Sequence, residues 1–288
     1  MSNLPRPGAF TATSPSGPHR IAYADWGEPA AARVVLCCHG LTRNGRDFDA
    51  LARRLAEEPN TRVICPDVAG RGRSDWLKDP AEYGYPLYIA DMAALIASLG
   101  VKQVDWIGTS MGGLIGMFLA AAPDTPVRSL IMNDVGPVLP RAALERIAGY
   151  VGRDERFGSL GALEAHLRQV HAPFGPLSAA QWAHLAEHGH RRRADGSYGL
   201  AYDPAIGVNL RQAVQDWDFR EAAWDKIAAP ALVLRGALSD LLSAEVAAEM
   251  TSRGPKAELA TFEGIGHAPA LMAEDQIETV RRWLARHN

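Results

Sequence analysis

The chain has 288 residues, 47% of them hydrophobic and 22% charged, with a formal net charge of -3 at pH 7. That length suits one large α/β domain or two smaller ones. The near-neutral charge excludes the basic footprint of a nucleic-acid or acidic-membrane binder. Three cysteines, Cys37, Cys38 and Cys65, are too few and too odd in number for a disulfide framework. They read as buried small hydrophobes in a reducing compartment. The N-terminus shows no charged stretch followed by an apolar one, so the expected location is the cytoplasm. No apolar run reaches the roughly 20 residues that span a bilayer.

In chain order, HRIAYADWG (19–27) reads as a strand that could pair with AFTAT (9–13). ARVVLCCHG (32–40) is nearly all apolar and ends in glycine, as a strand buried on both faces would be. RDFDALARRLAEE (46–58) has helical spacing, with Phe48, Leu51 and Leu55 on one face. TRVICPDV (61–68) is the next strand, and PLYIADMAALIASLG (86–100) a helix with proline near its start and Gly100 at its end. KQVDWIG (102–108), MGGLIGMFLAAAP (111–123) and VRSLIMNDVG (127–136) continue as strand, helix and strand. The rhythm resumes with APALVLRG (229–236), SAEVAAEMTSRG (243–254), AELATFEG (257–264) and a final helix EDQIETVRRWLARH (274–287). Repeated β-α-β with apolar strands predicts a mostly parallel sheet with helices on both faces. Residues 137–217 interrupt it with helical segments (141–151, 159–171, 178–189) and no buried strand, so an all-helical insertion is expected there.

WIGTSMGGL (106–114) places one serine among glycines at a strand-to-helix junction. Turning so sharply strains the backbone of Ser110 and leaves no room for side chains at 108 and 112. The hydroxyl is lifted above the strand's carboxyl end, beside the free amide of Met111 at a helix N-terminus, where negative charge is favoured. A serine nucleophile needs a base, and the base an orienting acid. In the order Ser…Asp…His, Asp240 lies in RGALSDLLS and His267 in EGIGHAPAL, each just beyond a strand. Asp134, in MNDVGP, also ends a strand and is the rival acid, with a turn role beside Gly136 and Pro137 as its preferred reading. His39-Gly40-Leu41-Thr42 ends another strand; the Leu41 N–H could supply a second oxyanion donor, with Gly40 letting the backbone approach the carbonyl.

These motifs, HGLT at 39–42, PDVAGRGRSD at 66–75, GTSMGG at 108–113, LRGALSD at 234–240 and GIGHAP at 264–269, resemble the α/β-hydrolase superfamily across nearly the whole chain. The resemblance implies an eight-stranded, mostly parallel sheet whose second strand is antiparallel. It also implies a core of residues 1–136 and 218–288 and a helical cap of residues 137–217 after strand 6. Asp67, Gly70, Gly72 and Ser74 match a mainly structural loop of that family, and neither Arg71 nor Asp75 is expected to be catalytic. Relatives that cleave haloalkanes or epoxides use an aspartate nucleophile, so Ser110 points to acyl transfer.

The expected activity is hydrolysis of a carboxylic ester of small or medium acyl chain through an acyl-enzyme, by Ser110, His267 and Asp240 with the Leu41 and Met111 amides. The alternatives are a carbon–carbon bond hydrolase or perhydrolase-like relative and, less favoured, a ligand receptor on the same scaffold. No cofactor or metal is required, and the expected partner is a small-molecule ester; acyl-chain preference and oligomeric state are not encoded in any motif. Gly40, Arg43, Phe174, Trp182 and Tyr202 are candidate substrate contacts, with Tyr198 and Trp217 as further pocket walls, although the aromatic residues could equally form the insertion's own core. His184 and His188 have the i, i+4 spacing of zinc ligands, but a solvated helix face is the preferred reading.

Overall fold

The computed structural model describes residues 4–213 and 219–287. Strands β1 (Arg6–Ser14), β2 (Gly17–Gly27), β3 (Arg33–Cys38), β4 (Thr61–Pro66), β5 (Val104–Thr109), β6 (Val127–Asn133), β9 (Ala231–Gly236) and β10 (Glu258–Phe262) form one sheet. Its spatial order is β1-β2-β4-β3-β5-β6-β9-β10. Strand β2 runs antiparallel to both β1 and β4, and the remaining neighbours are parallel. This is the eight-stranded sheet with an antiparallel second strand that the sequence leads one to expect.

The continuous apolar runs are explained by helices on both faces. Leu36, Cys38 and Trp106 point one way, into a cluster with Met92 and Leu95 of α2 (Tyr85–Ser98) and Ile115 and Met117 of α3 (Met111–Ala120). Their neighbours Val35, Cys37 and Ile107 point the other way. There they meet Leu51 and Leu55 of α1 (Asp49–Leu55) and Val280, Trp283 and Leu284 of α10 (Glu274–Arg286). Burial on alternate faces is the period-2 geometry of a strand, applied twice. All three cysteines are free and buried. Helix α10 carries Glu274 and Asp275 in its first turn and Arg286 in its last, which complements its dipole. Among the described residues, no helix is long and apolar enough to cross a membrane.

Between β6 and β9 the chain leaves the sheet for α4 (Arg141–Ala148), α5 (Leu160–Val170), α6 (Ala179–Gly189), α7 (Ile206–Ala213) and α8 (Phe219–Trp224). This insertion is not all-helical. Strands β7 (His190–Arg192) and β8 (Tyr198–Leu200) pair as an antiparallel hairpin. The cause is turn chemistry in the stretch between them. Asp195 Oδ1 accepts from the N–H and hydroxyl of Ser197, and Gly196 adopts φ 82°, a left-handed conformation that glycine takes without strain. Leu163, Leu167, Trp182, Leu185 and Ala186 form a small core of the insertion's own. The expected boundary at 217 and the candidate wall Trp217 lie outside the described residues. After β9, the helix α9 (Ala244–Met250) begins at an N-cap, Ser243, whose side chain accepts from Val246 N–H.

Candidate active site

Strand β5 ends at Thr109 and α3 begins at Met111, so Ser110 makes the whole turn, with φ 52° and ψ -115°. A positive φ is costly for a residue with a side chain. Crowding enforces it: a Cβ at Gly108 would stand 2.2 Å from Gly112 O, and one at Gly112 would stand 2.1 Å from Cys38 O. Ser110 N–H donates to Asn133 O at 3.0 Å, and Ser110 O accepts from the N–H groups of Gly113 and Leu114 at 2.8 and 3.1 Å. Asn133 Nδ2 in turn donates to Thr109 Oγ1 at 3.0 Å and to Pro269 O at 2.8 Å. One amide thereby ties the end of β5 to the loop after β10.

That loop brings His267 Nε2 to 3.0 Å from Ser110 Oγ, while His267 Nδ1 stands 2.8 Å from Asp134 Oδ2. The acid beside the imidazole is therefore Asp134, not Asp240. Asp134 is fully buried at the end of β6 and adopts φ 57°. Its Oδ1 accepts from Gly236 N–H at 2.8 Å and its Oδ2 from the Ser239 hydroxyl at 2.6 Å. Asp240 points away, 49% exposed, and accepts from Arg146 Nε and Nη2 at 2.7 and 3.0 Å. The physical reason is that the loop after β9 turns Gly236 and Ser239 inward as donors to the acid, which leaves Asp240 on the outer side of the turn. A carboxylate that accepts everywhere fixes the imidazole tautomer: Nδ1 carries the proton, and Nε2 is free to accept from Ser110.

The loop after β3 closes in a turn, with Arg43 N–H donating to Gly40 O at 3.1 Å. His39 sets its course. Val68 N–H donates to His39 Nε2 at 2.9 Å, so the ring proton lies on Nδ1 and is donated to Gly40 O at 2.7 Å. Burial pushes the His39 pKa down to about 4 and keeps it neutral. A Cβ at Gly40 would lie 3.8 Å from Ser110 Cβ, so glycine here keeps open space beside the hydroxyl rather than relieving a clash. Among the described residues, no protein acceptor pairs with the N–H of Leu41 or of Met111.

Both residues touch Arg71. Its guanidinium is fully buried and donates to Leu41 O at 2.9 Å, Ala69 O at 2.7 Å and Tyr88 Oη at 2.8 Å, and its Nη2 lies 3.8 Å from Met111 Sδ. It sits 4.9 Å from the centre of the Tyr88 ring. Among the described residues, no carboxylate forms an ion pair with it. A buried cation without a counter-charge raises the local potential for any anion that forms nearby. In sequence this cation shows only as an arginine in a glycine-rich loop.

Ser110 and His267 open into a cavity of about 80 Å³, lined from the sheet side by Gly40, Leu41, Thr42 and Arg43 and from the insertion by Tyr150, His171 and Phe174, among others. Of the sequence candidates, Gly40, Arg43 and Phe174 thus border the cavity. For Arg43 a surface position is the preferred reading from sequence, and the structure differs. Arg43 is buried, and its charge is met by Asp47 through bonds of 2.8 and 2.7 Å. Trp182 does not border the cavity; it belongs to the insertion's own core, with Arg168 stacked 5.4 Å from its ring centre. Tyr202 is set back in a smaller adjoining cavity that shares Arg43 and His171. Tyr198 packs on His190.

The expected solvated face at His184 and His188 is instead half-buried against the core. His184 Nε2 donates to Arg46 O at 2.9 Å, and Asn44 Nδ2 donates to His188 O at 2.9 Å. Ligand atoms of Asp49, His184 and His188 lie within 4.8 Å of one another. Asp49 is already bound on both oxygens by Arg46, so the group serves as a contact between α6 and α1.

Residues 35–281 match the alpha/beta hydrolase family. The chain is 47% identical over 285 residues to a 3-hydroxybutyrate-oligomer hydrolase of Cupriavidus necator, covering 96% of this chain and 97% of that protein. It is 28% identical over 243 residues to a 2-(acetamidomethylene)succinate hydrolase of Mesorhizobium japonicum, covering 83% of each. Among solved structures it resembles an alpha/beta hydrolase from Novosphingobium aromaticivorans, with a TM-score of 0.86 and 37% identity, covering 99% of each chain.

Proposed function

The chain belongs to the alpha/beta hydrolase family, and from that membership we propose that it is a serine ester hydrolase acting on short oligomers of a hydroxy acid such as 3-hydroxybutyrate. The observation that carries the reading is the unbroken series Ser110 Oγ, His267 and Asp134, with spacings of 3.0 and 2.8 Å, under a cavity that holds a short chain. The substrate class rests on the 47% identical relative, matched over nearly its full length.

In the proposed reaction Ser110 Oγ attacks the ester carbonyl carbon while His267 Nε2 takes the hydroxyl proton. Asp134 holds the ring and stabilises its cationic form. The N–H groups of Leu41 and Met111 receive the oxyanion, each worth about 2.7–4 kcal/mol of barrier. Collapse expels the alcohol, which takes the proton from Nε2 and leaves an acyl-serine. Water then adds to the acyl carbon, giving its proton to Nε2, and the acid departs as Ser110 is reprotonated. Tyr150, His171 and Phe174 of the insertion, read as the cap, line the cavity.

Purified protein should release 3-hydroxybutyrate from its dimer and trimer and hydrolyse p-nitrophenyl butyrate. Ser110→Ala should lower both rates by about 10⁴-fold or more, and a fluorophosphonate probe should label the wild type alone. Ester turnover that persists in Ser110→Ala would discard the proposed nucleophile. A wild type that cleaves a vinylogous diketone and no ester would instead favour the carbon–carbon bond hydrolase.

A further inference from the structure

His171, at the C-terminal end of α5, has no role in the proposed triad or hole, yet it is one of the most unusual side chains in the cavity. Its backbone N–H closes the helix onto Leu167 O at 2.8 Å, and its ring stacks on Phe174 with centroids 4.6 Å apart. It is only 9% exposed. Among the described residues no hydrogen-bond partner stands against either ring nitrogen, and neither is a sealed, orphaned atom of the interior. The ring borders both the cavity above Ser110 and the smaller one beside it, so its polar edge opens to the space a substrate would fill. A buried polar edge left unpaired is costly, and here a ligand group can pair with it.

The charge state of the ring narrows the ligand. Burial, with the Arg43 cation and the neighbouring His166 and His267, pushes its pKa well below the ordinary imidazole value. A neutral imidazole offers one N–H and one lone pair. A carboxylate can use only the N–H, and an ester carbonyl likewise; a methylene can use neither. An alcohol hydroxyl both donates and accepts, so it pairs with whichever nitrogen faces it. The cavity, about 80 Å³ in volume, has room beside Ser110 for a short hydroxyacyl unit.

We infer that His171 is a hydroxyl subsite, binding the free hydroxyl of the terminal 3-hydroxyacyl unit whose carbonyl reaches Ser110, so that the chain is shortened from its hydroxyl end. The inference rests on the ester-hydrolase reading above.

The test uses two esters with the same leaving group, p-nitrophenyl 3-hydroxybutyrate and p-nitrophenyl butyrate, and reads the ratio of their kcat/KM values. The wild type should favour the hydroxyacyl ester. His171→Phe should collapse that ratio by about ten- to a hundredfold, and His171→Gln, which keeps a donor and an acceptor, should restore part of it. A wild type with no preference overturns the subsite without any variant, as does a ratio unchanged in His171→Phe or, should that variant not fold, in His171→Leu. Failure of the wild type on both esters would instead remove the underlying ester-hydrolase reading.

Discussion

At the carboxyl edge of the sheet the acid and the imidazole of the candidate site are held by several hydrogen bonds. Asp134 accepts from Gly236, Ser239 and His267, and Asn133 spans two loops. The insertion above it has the opposite character where it meets the cavity, because His171 presents an unpaired ring. In the proposed triad, side chains held by several hydrogen bonds stand ready without substrate, which is what preorganised chemistry requires. An unpaired edge is completed by the ligand, which is what recognition requires. The two regions divide the work of one cavity, and each change below loads on one side of that division.

The largest effect separates the two candidate acids. Asp134→Asn should lower kcat by about 10³–10⁴-fold, since an amide cannot hold the imidazole in the tautomer that accepts from Ser110. Asp240→Asn should leave kcat within about threefold, because it removes only a half-exposed ion pair with Arg146. Rates on p-nitrophenyl butyrate with both purified variants decide it. Equal losses, or a larger one at Asp240, would mean that the loop after β9 carries the acid after all.

A smaller effect is expected behind the proposed oxyanion hole. Arg71→Met removes the cation that touches both Leu41 and Met111. Arg71 is a positioning residue here, so kcat should fall about ten- to a hundredfold with KM little changed. Arg71→Lys, which restores the charge but not the fork, should recover part of the loss. A fall expressed mainly in KM, or no recovery in the lysine variant, would reduce Arg71 to a packing residue.

The same division explains what could be read from sequence. The sheet was legible because strands buried on both faces leave continuous apolar runs, and the elbow because only glycine fits at 108 and 112. Two strand ends carried aspartates, and local sequence could not rank them. The choice depends on the loop that turns Gly236 and Ser239 toward Asp134, a contact across more than 100 residues of chain. The order Ser…Asp…His is satisfied by either acid, so the motif order alone did not discriminate. In the insertion, short amphipathic helices were visible but their inward residues were not, so pocket wall and insertion core stayed open for Trp182 and Tyr202 alike, and His171 passed unnoticed. The hairpin of β7 and β8 was hidden because three-residue strands are too short to show a period.

The smallest predicted effect returns to the sheet edge and concerns acid. An unfolded histidine takes up its proton near pH 6.5, whereas burial holds His39 at about 4. Between those values the unfolded chain binds one more proton than the folded one at this site. Stability from His39 is therefore complete above about pH 6.5 and declines as the pH falls toward 4. At pH 5.5 the loss is about 1.4 kcal/mol, roughly a tenfold shift in the folding equilibrium. His188 in the insertion, also held at about 4 by burial, adds to the slope in the same direction. Urea midpoints measured from pH 7 down to pH 4 should fall steadily, and His39→Asn, whatever its own cost, should flatten the curve by about one proton. A midpoint that is flat across this range, or a slope untouched by the substitution, would mean that His39 is protonated in place. Its Nε2 could not then accept from Val68, and the tautomer that steers the Gly40–Leu41 turn would have to be reassigned.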